Sequence, residues 1–333
     1  MSIQVNDTPT YPLAKPTLAT RVWAHVQIMR LDHSIKNIFV VPGIVVPLSI
    51  LRTPLLSPAL DKNILIGFVS TTLIACSNYV LNEVLDAPFD RLHPKKRTRP
   101  AAQGLVNVPI AYAQWLLMMV IGIALALTIS RAFAYTAGVL WIMGCLYNIP
   151  PFRLKDKVYL DVLCESINNP LRMLLGWFMV TSVLIAPASL LICYWMTGCY
   201  LMALKRFSEY REIGDVKVAG AYRKSFQHYT EVSLLSSVTF YAAAAMLFFG
   251  AFIIRYRIEL VLVFPLVALM MATYFKLAFQ PNSAVQNPEK LYREPLLMVE
   301  SGLVSLSMII LLYVDVPIIS RIFSPTLPSA LGH

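Results

Sequence analysis

Long apolar segments alternate with short polar loops along the chain. Nine apolar segments stand out, at about 38–51, 63–81, 108–130, 132–151, 160–185, 186–204, 233–254, 258–279 and 296–319. Most of them approach the roughly 20 residues that an α-helix needs to cross a bilayer. The pattern therefore predicts an all-α fold, a polytopic membrane bundle of about nine transmembrane helices.

The same pattern predicts one transmembrane domain, at 21–320, with a short tail at each end. Residues 1–20 are polar and rich in Pro and Thr, so we expect a disordered cytoplasmic tail there. Residues 321–333 form the predicted C-terminal tail. The first twenty residues contain no apolar run, so no cleavable signal peptide is expected.

Composition and charge support a membrane protein and argue against a nucleic-acid-binding one. Of the 333 residues, 57% are hydrophobic and 14% are charged, whereas a soluble domain has about 25% charged residues. The net charge of +10 is spread over short loops between apolar segments, which suits anionic membrane lipids and phosphate substrates but no nucleic acid.

Lys and Arg concentrate in alternate loops, most densely at 91–99, 153–157 and 205–224. By the positive-inside rule these loops lie in the cytoplasm. We therefore expect an integral protein of the inner (cytoplasmic) membrane, with a central cavity that opens to the cytoplasmic side.

Four oxygen-bearing side chains lie at and beyond the end of the second apolar segment, and we call them the ladder. Asn78, Asn82, Asp86 and Asp90 recur every four residues, which places them on one face of a helix. Mg²⁺ prefers such oxygen ligands and usually shares them with substrate phosphates. The ladder predicts a metal-bound diphosphate at the membrane surface.

A basic run follows the ladder, at Arg91, Lys95, Lys96, Arg97 and Arg99. These side chains would bind the remaining charge of the phosphates. The alternative is an ordinary cytoplasmic loop, since such loops carry Lys and Arg in any membrane protein. That alternative does not explain the acids, which are costly at a membrane boundary unless they are used.

A second polar constellation ends the sixth apolar segment. Lys205, Glu209 and Glu212 share a helix face at spacings of four and three, and Arg223 and Lys224 follow. Internal ion pairs at a charged helix end would explain this group by itself. Facing the ladder across a bundle, the group would form the other side of a clamp on a diphosphate.

Three weaker signals lie near the same side of the membrane. Asp161, Glu165, Asn168 and Arg172 form a polar stripe along the fifth apolar segment, either for a ligand or because Glu165 and Arg172 neutralise each other. The other two signals are Lys36-Asn37, at the start of the first segment, and Tyr147-Asn148, at the end of the fourth.

These residues resemble the UbiA superfamily of intramembrane prenyltransferases, which have nine helices around a cavity and two cytoplasmic acidic motifs. The first motif of that family, Asn-Asp-x-x-Asp-x-x-x-Asp, is present as Asn82-Glu83-x-x-Asp86-x-x-x-Asp90, with Glu at the second position. The likeness extends over about residues 28 to 300.

Within the superfamily, the chain is more similar to the decaprenyl-phosphate phosphoribosyltransferase branch. Lys36-Asn37 resembles the Trp-x-Lys-Asn of that branch, although Ser34 stands at the Trp position. The other two matches are His93-Pro94-Lys95-Lys96-Arg97-x-Arg99-Pro100 and the pair Lys205-Arg206-Phe-x-Glu209 with Tyr222-Arg223-Lys224-Ser225.

The resemblance implies a glycosyltransferase that moves 5-phosphoribose from phosphoribosyl diphosphate to a polyprenyl phosphate, such as decaprenyl phosphate, and releases diphosphate. The implied cofactor is Mg²⁺, with Asn82, Asp86 and Asp90 as metal ligands. These three residues with Lys205 and Glu209 are the implied catalytic set. The implied substrate-binding residues are Lys36, Asn37, Lys95, Lys96, Arg97, Arg99, Tyr147, Arg172, Arg206, Arg223 and Lys224.

Two other functions stay open at this stage, and so does the oligomeric state, a homo-oligomer included. A UbiA-type prenyltransferase would move a polyprenyl group from its diphosphate to an aromatic or lipid acceptor, and the first motif suits that donor as well. A membrane transporter would use the polar stripe as its path. Transporters often contain internal repeats, and no convincing repeat is visible in the sequence.

Overall fold

The structure, a computed structural model, describes residues 17–51, 57–91 and 96–324. In these ranges the chain is helical and contains no β-strand. The α-helices are α1 (Leu18–Gln27), α2 (Val41–Leu51), α3 (Pro58–Asp90), α4 (Val108–Leu127), α5 (Arg131–Asn148), α6 (Leu160–Ser166), α7 (Asn168–Val180), α8 (Ala188–Ile213), α9 (Val216–Tyr222), α10 (Glu231–Tyr256), α11 (Phe264–Leu277), α12 (Pro295–Tyr313) and α13 (Pro317–Ile322). A 3₁₀ helix, Leu31–Val40, connects α1 to α2.

Seven helical stretches of the described chain are long and apolar enough to cross a membrane: Leu18–Leu51, Pro58–Asp90, Val108–Leu127, Ala188–Ile213, Glu231–Tyr256, Ile258–Leu277 and Pro295–Tyr313. The all-α membrane class predicted from the sequence is thereby confirmed, and the chain is an integral membrane protein. The predicted fourth and fifth spans correspond to α5 and to α6 with α7, which are not among the seven. A total of nine spans stays a prediction.

The predicted tails fall largely outside the described residues, which omit 1–16 and 325–333. The part of the N-terminal region that is described begins as helix α1 at Leu18, where the Thr17 hydroxyl accepts a hydrogen bond from the Thr20 amide. Several apolar side chains of α1 are exposed, Trp23 at 60% among them. Such a helix suits the interface of a membrane.

The predicted fifth span is interrupted in the structure. Helix α6 ends at Ser166, Ile167 forms a turn, and α7 starts at Asn168. Pro170 explains the break, because proline has no amide N–H to donate to the carbonyl four residues earlier and its ring crowds that carbonyl. The polar stripe predicted on one continuous helix is therefore divided between two helices.

Two long helices position the candidate site. Helix α3 has 33 residues, starts at the Ser57 cap with Pro58 in its first turn, and keeps Asn82, Asp86 and Asp90 on its last turns. Helix α8 has 26 residues, contains Lys205 through Glu209, and ends at Gly214 in the left-handed conformation. The helical ladder predicted from the spacing is thus present at the C-terminal end of α3.

Helices α2 and α7 cross at two glycines. A Cβ atom built on Gly43 would overlap the Met173 carbonyl oxygen, and one built on Gly176 would overlap the Val40 carbonyl oxygen. Small residues allow membrane helices to approach this closely and to gain van der Waals contact. The crossing fixes α7, and with it Arg172, against the start of the first span.

We expect Gly43→Ala to lower the thermal stability of the detergent-solubilised protein, by about 1–3 kcal/mol in free energy of unfolding, because α2 must move away from α7. Gly138→Ala is the matched control. A Cβ on Gly138, within helix α5, would meet no heavy atom within 4 Å, and alanine is the better helix former. Equal unfolding temperatures for Gly43→Ala and the wild type would contradict the close crossing.

Candidate functional site

The first motif forms a hydrogen-bonded cluster with the loop after α5. The Asn82 amide Nδ2 donates to Asp86 Oδ2 over 3.0 Å and to Asn148 Oδ1 over 2.6 Å. Asp86 Oδ1 accepts from Lys155 Nζ at 2.5 Å and from Arg153 Nη2 at 3.0 Å. Because Asn82 uses its nitrogen in these bonds, its amide oxygen is oriented away from Asp86 and Asn148.

Lys155 is the second base that contacts this motif. Burial and the neighbouring Arg153 lower the pKa of Lys155 to about 8, although Asp86 opposes the shift. Lys155 Nζ also donates to Asn148 Oδ1 over 2.9 Å. The ammonium group therefore bridges Asp86 and Asn148, and it offsets the charge of Asp86.

Asp90 and Glu83 of the first motif have separate partners. Asp90 Oδ2 accepts from Arg99 Nη1 at 2.6 Å, which folds the basic loop back onto the end of α3. Glu83 is buried and pairs with Arg30, whose Nε donates to Glu83 Oε2 over 2.9 Å. Glu83 therefore attaches the segment after α1 to α3.

The second motif is centred on the buried guanidinium of Arg206. Its Nε, Nη2 and Nη1 donate to Asp161 Oδ2, Glu165 Oε2 and Glu209 Oε2 at 3.3, 3.1 and 3.1 Å. All three guanidinium nitrogens are thus directed at carboxylates. The predicted contact of Arg206 with substrate phosphate does not fit this arrangement, and its role here is to hold the acids together.

Asp161, with no solvent exposure, extends this cluster to the loop after α9. Its carboxylate accepts from Ser225 Oγ at 3.2 Å and from the Tyr229 hydroxyl at 2.7 Å, and it lies 3.7 Å from Arg223 Nη1. Burial and the adjacent carboxylate of Asp161 raise the pKa of Tyr229 far above its usual range. The second part of the second motif is therefore fixed by a residue of α6.

Two half-buried lysines lie beside the acids of the second motif. Lys36 and Lys205 both act electrostatically on Glu165, whose Oε2 also accepts from the Tyr147 hydroxyl at 2.8 Å. Within the described residues, no carboxylate oxygen lies within 4.0 Å of either lysine Nζ. The acids nearest to these lysines are already bound to Arg206.

Lys96 links the two motifs. It lies in the short 3₁₀ helix Lys96–Thr98, and its charge interacts with Arg223, Arg99, Glu209 and Asp90. Burial, with Arg223 and Arg99 nearby, lowers the pKa of Lys96 to about 8. Charged residues of both motifs therefore lie within electrostatic range of one lysine, while the predicted clamp on a diphosphate stays a prediction.

Not every predicted residue joins this group. The Arg97 side chain is exposed, and the Lys224 side chain is 62% exposed and lies 4.0 Å from Asp156. Lys95 lies outside the described residues, as do His93 and Pro94 of the basic motif.

The alternative in which Glu165 and Arg172 neutralise each other is wrong. Glu165 is bound to Arg206 and Tyr147. Arg172, beyond the helix break, instead approaches Asn37 Oδ1 at 3.4 Å. The acid and the base lie about two helical turns apart, and each has its partner on a different helix.

Sequence reasoning missed Arg153 and Lys155 as residues of the site. The sequence pattern shows both only as bases of a loop, yet they are the direct partners of Asp86. The sequence feature that could identify them is their position. Two bases lie within three residues, shortly after Asn148, on the same predicted side of the membrane as the ladder. Asn148 was noted beside Tyr147, and it accepts hydrogen bonds from both Asn82 and Lys155.

The donor set of the first motif suits a hard divalent cation. Asn82, Asp86 and Asp90 offer amide and carboxylate oxygens only, as Mg²⁺ requires, and the Asn82–Asp86 hydrogen bond shows that two of them are adjacent. No group of three His, Cys, Asp or Glu side chains in the described ranges forms a complete metal centre by itself. A cation here would need further oxygens, such as those of a diphosphate.

The UbiA prenyltransferase family model matches residues 39–294. The chain belongs to this family, and it is therefore a transferase enzyme.

Similar proteins differ in their substrates. Decaprenyl-phosphate phosphoribosyltransferase of Mycobacterium tuberculosis is 29% identical over 55% of this chain and 59% of its own length. Protoheme IX farnesyltransferase 2 of Vibrio parahaemolyticus is 27% identical over 43% of this chain and 50% of its own. The chain thus spans only about half of the length of each of these relatives.

Solved structures support the fold. A UbiA homolog from Archaeoglobus fulgidus bound to GPP and Mg²⁺ superposes with a TM-score of 0.64 at 18% identity, over 85% of this chain and 99% of that one. A second structure of that homolog is bound to DMAPP and Mg²⁺. Divalent metal is therefore present in structural neighbours of this chain.

We expect Arg206→Gln to destabilise the protein by about 3–5 kcal/mol, since three carboxylates would lose their shared buried partner. The measurement is thermal or denaturant unfolding of the purified protein in detergent. Arg211→Gln is the control on the same helix, because Arg211 is exposed and stacks on Phe279 at 5.2 Å, so its loss should cost no more than about 1 kcal/mol. Similar unfolding midpoints for the two variants would refute the anchoring role of Arg206.

Proposed function

We propose that this enzyme transfers 5-phosphoribose from phosphoribosyl diphosphate to a polyprenyl phosphate, with Mg²⁺ as cofactor, and releases diphosphate. The observation that carries the proposal is the surplus of bases beside the second motif. Arg206 binds Glu209 of this motif and the adjacent acids Asp161 and Glu165, whereas Lys36 and Lys205 have no carboxylate within 4.0 Å in the described chain.

This distribution of charge matches the donor. Phosphoribosyl diphosphate carries a 5-phosphate in addition to its diphosphate, and a second anionic group requires a second cationic region. Lys36 and Lys205 can bind the 5-phosphate on one side, while Lys96 and Arg99 lie beside Asp90 on the other. The relatives that are 29% identical and carry the name decaprenyl-phosphate phosphoribosyltransferase support transfer of a phosphoribosyl group.

In this reaction the residues of the site have different roles. Asn82, Asp86 and Asp90 would hold Mg²⁺, which when bound supplies positive charge to the departing diphosphate. Lys96 and Arg99 bind the same group and stabilise the charge that it gains as the C1–O bond breaks. The sugar passes through an oxocarbenium-like state, and the phosphate of the lipid acceptor attacks C1. That phosphate is already an anion, so no residue must remove a proton from it.

The proposed site opens to the cytoplasm of an inner-membrane protein. The loops that contain Arg99, Lys155 and Arg223 meet at one end of the bundle, since each contacts residues of the site. These loops carry the highest density of Lys and Arg, which the positive-inside rule assigns to the cytoplasm. Phosphoribosyl diphosphate would enter from that side, and the lipid from the surrounding bilayer.

A prenyltransferase that uses a polyprenyl diphosphate is the second candidate. The protoheme IX farnesyltransferase relatives and the neighbour structure bound to GPP favour it. The first motif would serve that donor equally well.

The two candidates are separated by supplying each donor to the purified protein in detergent with Mg²⁺. Mass spectrometry of the lipid products would show a phosphoribosyl lipid only with labelled phosphoribosyl diphosphate and a polyprenyl phosphate. Prenyl transfer from geranyl or farnesyl diphosphate to an aromatic or lipid acceptor, without phosphoribosyl transfer, would replace the proposed function with the second candidate.

We expect Asp86→Asn to reduce turnover by at least about a hundredfold while the protein stays folded, because a neutral amide at this position weakens the binding of a divalent cation. Asp61→Asn, near the other end of the same helix and exposed, is the control and should keep wild-type turnover. Wild-type rates in Asp86→Asn would remove Asp86 from the metal site.

A further inference from the structure

Arg172 is a buried cation without an acidic partner. Its side chain lies in α7, and the residue is 6% exposed. Its two hydrogen bonds are long and go to neutral acceptors, from Nε to Asn37 Oδ1 at 3.4 Å and from Nη1 to the Asn168 carbonyl at 3.5 Å. Among the described residues, no carboxylate lies within 4.0 Å of its guanidinium.

Other buried bases of the bundle are neutralised. Arg206 has three carboxylates and Lys155 has Asp86, and the half-buried Arg30 has Glu83. A charge inside a membrane protein is costly without a partner, and such residues commonly mark a ligand path. The exception at Arg172 therefore indicates a site for an anion that is supplied from outside the chain.

The position of Arg172 relates this anion to the proposed site. Asn37, which accepts from Arg172, donates to Thr72 Oγ1 at 2.8 Å and is thereby held in place. It follows Lys36 directly, and Lys36 interacts electrostatically with Glu165 and Lys205. Arg172 thus borders the same group of residues as the second motif.

Arg172 lies on the membrane side of that group. It follows Glu165 by seven residues, which corresponds to roughly 10 Å along a helix axis. Its side chain points back toward the start of α7, as helical side chains do, and Nη1 reaches the carbonyl of Asn168 one turn earlier. Its neighbours Leu171 and Met173 are buried among apolar side chains. An anion bound here would sit at the boundary between the polar site and the apolar bundle.

Of the two substrates in the proposed function, on which this inference rests, only one suits that boundary. Phosphoribosyl diphosphate is polar throughout, whereas a polyprenyl phosphate joins a doubly ionisable phosphate to an apolar chain. We infer that Arg172, positioned by Asn37, binds the phosphate of the polyprenyl acceptor. A guanidinium can donate two parallel hydrogen bonds to such a phosphate.

The test compares Arg172→Gln and Arg172→Lys with the wild type in two binding measurements. The probes are decaprenyl phosphate and phosphoribosyl diphosphate with Mg²⁺, each titrated into the full chain in detergent. Arg172→Gln should weaken the binding of decaprenyl phosphate at least about tenfold and leave that of phosphoribosyl diphosphate within about twofold. Arg172→Lys should fall between, because it keeps the charge but loses the planar donor pair. Arg131→Gln, at the start of α5 and exposed, should bind both like the wild type.

Thermal unfolding without ligand provides a second measurement. A ligand-binding role predicts that Arg172→Gln unfolds at the same or a higher temperature, since an unpaired buried charge is removed. A purely structural role predicts a lower unfolding temperature together with unchanged affinity for decaprenyl phosphate, which would overturn the inference.

The remaining outcomes separate the inference from the proposed function. If the wild type binds both probes and Arg172→Gln loses only phosphoribosyl diphosphate, the inference is refuted while the proposed function stands. If the wild type binds neither probe but binds geranyl diphosphate, the proposed function is refuted, and the inference with it.

Discussion

The bond network around the Arg206 guanidinium is the interaction on which the geometry of the site depends. It joins α6 to α8 through Asp161 and Glu165, it includes Glu209 of α8, and Asp161 also fixes the loop that carries Arg223. Buried charges are stable only when every member of such a network is satisfied. The second motif and the acids of α6 consequently form one wall of the site, in which the acids stabilise the structure while Lys36 and Lys205 remain for ligands.

The two walls of the site therefore have different chemistry. The α3 wall has oxygen atoms that suit a cation on Asn82, Asp86 and Asp90, and in this structure Asp86 and Asp90 are paired with Lys155, Arg153 and Arg99. The opposite wall offers Lys36 and Lys205, which suit anions. A substrate with a leaving diphosphate at one end and a second phosphate at the other complements both walls, and Lys96 interacts electrostatically with Asp90 of one wall and Glu209 of the other. Electrostatic complementarity of this kind orients a substrate before chemistry begins.

Much of this arrangement could be predicted from the sequence, because it depends on local spacing. A repeat of four places Asn82, Asp86 and Asp90 on one helix face, and α3 continues to Asp90 as this requires. Partners on different helices could not be predicted. Arg206 contacts Glu165 and Asp161 across 41 and 45 residues of sequence, and no periodicity encodes such a pairing.

The sequence analysis predicts one continuous span through the helix break before Pro170, although the run from Glu165 to Pro170 is mostly polar. Glu165 lies before the break, and Arg172 lies after it, beside Asn37. A sequence pattern can show that a segment is polar on one side, but whether an acid and a base on it meet depends on the partners that other helices supply.

The central claim is that both motifs bind one diphosphate-bearing substrate. The most direct measurement is a cryo-EM structure of the full chain in a lipid nanodisc with Mg²⁺ and phosphoribosyl diphosphate, collected before turnover by omitting the lipid acceptor. The expected result is density for the diphosphate between Asp86 and Asp90 on one side and Lys96 on the other, with the 5-phosphate at Lys36 and Lys205. Substrate density that contacts only one motif, or that lies outside the group around Lys96, would contradict the claim.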